Sequence, residues 1–229
     1  MLAVDIANLH YSYPDGTPAL DGVELRLPEG DRLALIGVNG AGKSTLLLHL
    51  NGLLQGQGRV EIFGQAVTPR NLRAIREQTG LVFQNPDDQL FMPSVFDEVA
   101  YAAINARYER AEVRRRVAEA LSATGLTGLE AKHPTNLSLG QKKRVAIASV
   151  LVTDNRLLVL DEPSAGLDPP TRAGLLSLLQ SLPATMIVAT HDLEFAQALC
   201  TRAALMQRGR ITRFEAVNAL ISDPGLFDA

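Results

Sequence analysis

The run RLALI, Arg32 to Ile36, stops at Gly37, and the next residues read GVNGAGKST, Gly37 to Thr45. A short apolar run breaks into a glycine-rich turn and then enters a helix candidate, Lys43 to Leu54, that ends near Gly56. Few folds join a strand to a helix this way. Glycine lets the backbone wrap where a Cβ would obstruct it. Successive N–H groups, together with a helix N-terminus, then face an anion. The spacing is glycine, four residues, then Gly42-Lys43-Ser44. It predicts a phosphate loop formed by Gly37, Asn39, Gly40, Ala41, Gly42, Lys43, Ser44 and Thr45. Lys43 reaches terminal phosphates, the Ser44 hydroxyl ligates Mg²⁺, and Thr45 bonds a phosphate oxygen. The plainer alternative is a glycine turn before an ordinary helix.

The rest of the chain suits an α/β reading. Strand-like runs occupy residues 4–10, 22–27, 58–63, 79–83, 157–160 and 186–189. The later ones are short and nearly continuous in apolar residues, as strands covered on both faces are. Residues 94 to about 150 keep mainly helical periodicity. The expected fold is a P-loop nucleotide hydrolase core with a mainly parallel sheet, an N-terminal antiparallel β part and an inserted helical subdomain. With 229 residues, 46% of them apolar, residues 1–229 read as one domain, with the helical insertion at about 94–150. A formal charge of −3 gives no support to a nucleic-acid surface. One cysteine, Cys200, excludes an internal disulfide framework and favours the cytosol; it reads as a buried small hydrophobe. The N-terminus lacks the basic-then-apolar pattern of a signal peptide, and no apolar run approaches a membrane span.

Polar groups recur where the apolar runs end. RLLVLDEP, Arg156 to Pro163, puts Asp161 and Glu162 at one such end. Asp161 is the candidate for Mg²⁺, and Glu162 for polarising an attacking water; the alternative is a solvated, acid-capped strand end. His191 follows the next run, in MIVATHD. Gln84 follows TGLVF, with an amide oxygen suited to Mg²⁺ or the attacking water. A lone histidine is more often structural. Successive strand ends bearing a phosphate loop, an Asp-Glu pair and a histidine share the edge where α/β sheets bind ligands. Further on, Ser138 and Gln141 have capping-box spacing, which predicts a helix start.

NLSLGQKKRVAIASVL, Asn136 to Leu151, completes a set of motifs whose order resembles an ATP-binding cassette ATPase of a transporter. The resemblance covers nearly the whole chain. It implies a head-to-tail dimer with two ATP molecules between subunits, Mg²⁺ as cofactor, and hydrolysis to ADP and phosphate. It implies that Ser138, Gly140 and Gln141 contact the γ-phosphate held by the opposite subunit. Tyr13 then stacks on adenine, with Tyr11 as the competing aromatic and a core role as the alternative for Tyr13. Asp168, in SAGLDPPT, resembles the aspartate of the loop that crosses the dimer interface, and Pro169 and Pro170 suit a helix start. His191 resembles the histidine that orients the water. The sequence departs from the family pattern at Leu139, where glycine is usual.

FQNPDDQLF, Phe83 to Phe91, and the continuation FMPSVFDEVA resemble energy-coupling-factor importers, in particular cobalt and nickel uptake ATPases. That resemblance implies a second cassette subunit, identical or a close relative. It also implies a membrane coupling protein, a membrane substrate-binding subunit and a peripheral place on the cytoplasmic face of the cell membrane. Cobalt, nickel and vitamins remain open as cargo; the four scattered histidines have no ligand spacing. Only a short helix-like stretch, about 215–221, closes the sequence, so no added regulatory domain is expected. Two other classes fit parts of the pattern: a nucleic-acid-coupled ATPase and a regulatory module that closes on ATP. The charge balance disfavours the first. Glu162 and His191 together disfavour the second.

Overall fold

The structure is a computed structural model that describes residues 1–223 and 225–226. The strands are β1 (Leu2–Ser12), β2 (Pro18–Pro28), β3 (Arg32–Ile36), β4 (Gln57–Ile62), β5 (Gln65–Ala66), β6 (Thr79–Val82), β7 (Leu157–Asp161), β8 (Thr185–Ala189), β9 (Arg202–Gln207) and β10 (Arg210–Ala216). The helices are α1 (Lys43–Leu50), α2 (Leu72–Gln78), α3 (Val95–Asn105), α4 (Arg110–Ala123), α5 (Leu139–Leu151), α6 (Pro169–Ser181), α7 (Leu193–Leu199) and α8 (Val217–Ile221).

Two sheets form. One is antiparallel, in the order β2-β1-β4-β5. The other runs β10-β9-β3-β8-β7-β6; β9 to β6 are parallel, and β10 pairs antiparallel with β9. The two-residue alternation of a strand sorts the apolar residues of the parallel sheet. Leu33, Leu35, Leu157, Val159, Ile187 and Ala189 face the core shared with α1 and the antiparallel sheet. Their neighbours Ala34, Ile36, Leu158, Leu160, Met186 and Val188 face α6 and α7 instead. Both faces are covered, which is why these strands read as unbroken apolar runs.

A third apolar cluster joins α3, α4 and α5 through residues such as Val99, Val117 and Val145. No helix among the described residues is long and apolar enough to cross a membrane. Several boundaries differ from the sequence expectation. Helix α1 stops at Leu50, capped by Asn51, rather than continuing to Leu54. Gly52 takes a left-handed φ of +66° and leaves no room for a Cβ beside Leu72, so the chain turns there instead of extending the helix. The β1 and β2 strands are longer than their apolar runs because their mutual pairing carries the polar ends along.

Candidate active site

Strands β3, β8, β7 and β6 are consecutive neighbours in the parallel sheet. Their C-terminal ends therefore bring the phosphate loop, His191, the Asp161–Glu162 pair and Gln84 to one edge. Sequence order scatters these groups, and the crossovers bring them together.

The loop after β3 is fixed by close packing. Gly37 lies against the Met206 carbonyl, and Ala41 is buried. Gly42 adopts φ +103° immediately before α1 and turns the chain into the helix. Lys43 is buried, and its Nζ donates to the carbonyls of Gly37 at 2.7 Å and Val38 at 3.1 Å. The ammonium thus sits inside the curl of the loop. The Tyr13 and Thr45 hydroxyls are 2.8 Å apart. That contact holds the half-exposed Tyr13 ring over the start of α1, while Tyr11 packs edge-on against Tyr13 and His49.

Asp161 is buried and its Oδ1 has no partner among the described residues, while Ser44 hydrogen-bonds the same carboxylate. Burial raises the Asp161 pKa above the usual carboxylate range, and the Glu162 charge adds to this; the Ser44 bond, Lys43 and Lys143 pull it back down. Glu162 is buried at a left-handed φ of +44°, uncommon for a residue with a Cβ. That turn frees its side chain from the alternation of β7. Its Oε2 accepts from the Thr190 hydroxyl at 3.2 Å and lies 2.9 Å from Nδ1 of the largely exposed His191.

A cleft of about 510 Å³ collects Tyr13, Asn39, Gly40, Gly42, Lys43, Ser44, Thr45, Gln84, Asp161, Glu162 and His191. A larger groove of about 790 Å³ shares Gly40 but contains neither Asp161 nor Glu162, so the candidate residues collect in the smaller cleft. Ser138, Gly140 and Gln141 do not line the cleft. They form the start of α5, with Ser138 exposed and Gly140 and Gln141 half-buried, where the capping box is present: Gln141 N donates to Ser138 Oγ at 3.3 Å, and Ser138 N to Gln141 Oε1 at 3.1 Å. Asp168 caps α6, its carboxylate accepting from both the backbone N–H and the hydroxyl of Thr171 at 2.9 Å.

Several supporting residues gave no signal in the sequence. Thr190 is fully buried beneath Glu162. Asp192 accepts two Arg172 guanidinium bonds at 2.7 Å each and one from the Ser164 hydroxyl at 3.0 Å, which anchors the segment that carries His191. Lys143, in α5, is buried and donates from Nζ to the carbonyls of Glu162 at 2.9 Å and Pro163 at 3.1 Å. Burial pushes its ammonium down to about 8, against the opposing pull of Glu162 and Asp161. Local spacing betrays none of these, because each partner comes from a different element.

The ABC transporter family matches residues 20–165. The chain belongs to that family. It is an ATP-hydrolysing cassette. The energy-coupling factor transporter ATP-binding protein EcfA of Carboxydothermus hydrogenoformans is 48% identical, over 92% of this chain and 79% of that protein. The solved structure of cbiO1 from Clostridium perfringens, part of the ABC transporter complex cbiONQ, superposes with a TM-score of 0.86. It is 38% identical and covers 97% of this chain and 91% of its own. A dimeric ATP-binding cassette solved in a post-hydrolysis state with ADP and Pi gives a TM-score of 0.84 at 28% identity, covering 93% of this chain and 98% of its own.

Proposed function

We propose that this chain is the ATPase subunit of an energy-coupling-factor importer and that its cargo is a transition-metal cation, with cobalt first and nickel second. The observation that carries the catalytic reading is the placement of Glu162. Its carboxylate is held by Thr190 and His191 and lines the same cleft as Lys43 and the loop. A water between Glu162 and the γ-phosphate gives its proton to the Glu162 carboxylate as its oxygen attacks phosphorus. The bond to the β–γ bridging oxygen breaks, and ADP and phosphate leave. Lys43 and the loop N–H groups offset the charge that spreads over the transferring oxygens. His191 orients the water. Tyr13 offers its ring to adenine.

The donor set fits Mg²⁺. Ser44 and Asp161 present hard oxygens, and Asp161 Oδ1 is buried without a partner among the described residues. No group of three His, Cys, Asp or Glu side chains suited to a metal occurs among the described residues. Mg²⁺ usually takes one or two protein oxygens and completes its shell with phosphates and water, so that number suffices. Ser44, Asp161 and the Gln84 amide oxygen would hold it. When bound, the ion neutralises charge on the phosphate oxygens.

Ser138, Gly140 and Gln141 lie outside the cleft and would contact the γ-phosphate held by a second cassette. Residues 1–229 form one cassette with a helical insertion at about 94–150. Gln84 and the loop after it link nucleotide state to a membrane coupling protein on the cytoplasmic face, which recruits a membrane substrate-binding subunit. The importer reading is supported by the FQNPDDQLF loop and by the names of the EcfA and cbiO1 relatives.

Reconstituting the chain with its membrane subunits in liposomes tests this. ATP-dependent uptake of radioactive cobalt above that of nickel or vitamins is expected. Vitamin uptake without metal uptake would overturn the cargo. ATP turnover indifferent to every membrane partner would overturn the importer.

A further inference from the structure

Lys143 occupies an unusual place for a charged side chain. Only 4% of its surface is exposed, and lysine is almost never that buried unless paired. No carboxylate lies within ion-pair distance of its Nζ among the described residues; the ammonium instead meets two backbone carbonyls, Glu162 at 2.9 Å and Pro163 at 3.1 Å. Those carbonyls belong to the turn that puts Glu162 at φ +44°. The Glu162 N–H is tied separately, to the Ala189 carbonyl of β8 at 2.8 Å. Glu162 is thus gripped on one side by the sheet and on the other by α5.

The neighbouring residue points elsewhere. Lys142 Nζ lies 2.6 Å from Asp87 Oδ1, in the short turn three residues after Gln84. Successive residues on a helix diverge by about 100°, so two adjacent lysines reach two different elements. The opening of α5, which also presents Ser138 and Gln141 at its tip, therefore touches both the turn of Glu162 and the loop of Gln84.

We propose that Lys143 is a positioning residue for ATP hydrolysis: through the Glu162 and Pro163 carbonyls it fixes the turn that aims the Glu162 carboxylate at the attacking water. It makes the orientation of that carboxylate depend on the position of α5. The inference rests on Glu162 as the water-polarising group proposed above. A shift of the turn by about 1 Å is enough to cost on the order of 100-fold in rate.

The test is a double-mutant cycle on steady-state phosphate release with saturating Mg-ATP. Lys143→Met keeps an unbranched side chain one atom shorter and removes the donors. It is expected to lower kcat about 10- to 100-fold, with KM for ATP changed less than about 3-fold, because only the reacting geometry is lost. Lys143→Arg keeps donors and is expected to recover much of the loss. In a Glu162→Gln background, Lys143→Met is expected to cost less than about 2-fold more, since a residue acting through Glu162 has nothing left to position. A purely structural role predicts parallel losses in both backgrounds and in ATP affinity, and that result overturns the proposal. Unchanged kcat in folded Lys143→Met overturns it too. Should Lys143→Met fail to fold, Lys143→Gln, whose amide donors reach less far, runs the same cycle with the same criteria. If Glu162→Gln alone leaves turnover intact, the reading of Glu162 fails first, and with it the basis of the proposal.

Discussion

Replacing Gly42 by alanine separates two costs that the phosphate loop imposes on its sequence. Gly42 has φ +103°, a conformation that an L side chain rarely adopts. An added Cβ would lie 2.5 Å from the Ala19 carbonyl oxygen and 2.9 Å from Met206 Cε. The backbone conformation costs an L residue ~1–2 kcal/mol. Driving a methyl group against a backbone oxygen, which cannot swing away as a side chain can, costs a further ~1–3 kcal/mol. The sum is ~2–5 kcal/mol, a large share of the ~5–15 kcal/mol that holds a domain folded. For a chain of this size each kcal/mol lowers Tm by ~2–4 °C, so the variant should melt on the order of 10 °C lower. Gly40 is the internal control. It has φ +80°, but a Cβ there meets nothing within 4 Å. Gly40→Ala should therefore carry only the backbone cost, ~1–2 kcal/mol. Thermal unfolding followed by circular dichroism measures both. Titration with a non-hydrolysable ATP analogue should show the larger affinity loss in Gly42→Ala, since the clash distorts the start of α1. Equal losses in the two variants, or a Gly42→Ala protein that melts with the wild type, would refute the separation.

Gln84→Ala should impair coupled uptake in the reconstituted complex more than ATP affinity, as measured by transport and nucleotide titration side by side. Cys200, buried with its thiol pushed up to about 12, should resist a thiol reagent at pH 8 in the native protein and react fully in denaturant. The hydrogen bonds from Arg172 hold the Asp192 carboxyl below its ordinary value of 3.8. A depressed carboxylate pKa stabilises the fold fully above the unfolded value, and this stability is lost as pH falls through the folded value. Arg172→Ala should therefore flatten the decline of Tm with acidification below about pH 4, and an unchanged acid limb would contradict the assignment.

Much of the site could be read in the sequence because its groups sit where four or five apolar residues end. Leu157–Leu160 before Asp161 and Met186–Ala189 before His191 are strands whose continuous burial shows as continuous hydrophobicity. The phosphate loop was legible for the same reason, with glycine marking the turn. The geometry that makes these groups act together was not legible. The left-handed turn at Glu162 is imposed by contacts to β8 and α5, and glutamate itself does not favour it. Thr190, Arg172 and Lys143 are ordinary residues until the fold brings their partners close. Lys142 and Lys143 are adjacent lysines on one helix, yet one pairs with Asp87 and the other is buried on two carbonyls. The end of α1 was misplaced because the run LLLHLNGLL stays apolar past Leu50, while Asn51 and Gly52 set the boundary through backbone conformation.

In the proposed function, Glu162 drives hydrolysis in a cleft whose ATP binding depends on other groups. Glu162→Gln keeps the size of the side chain and removes its capacity to take a proton. Measured on one preparation, its ATP affinity should stay within about 3-fold of wild type while phosphate release falls by roughly 100-fold or more, the scale of a lost general base. Phosphate release at near wild-type rates by a variant that binds ATP normally would contradict the account.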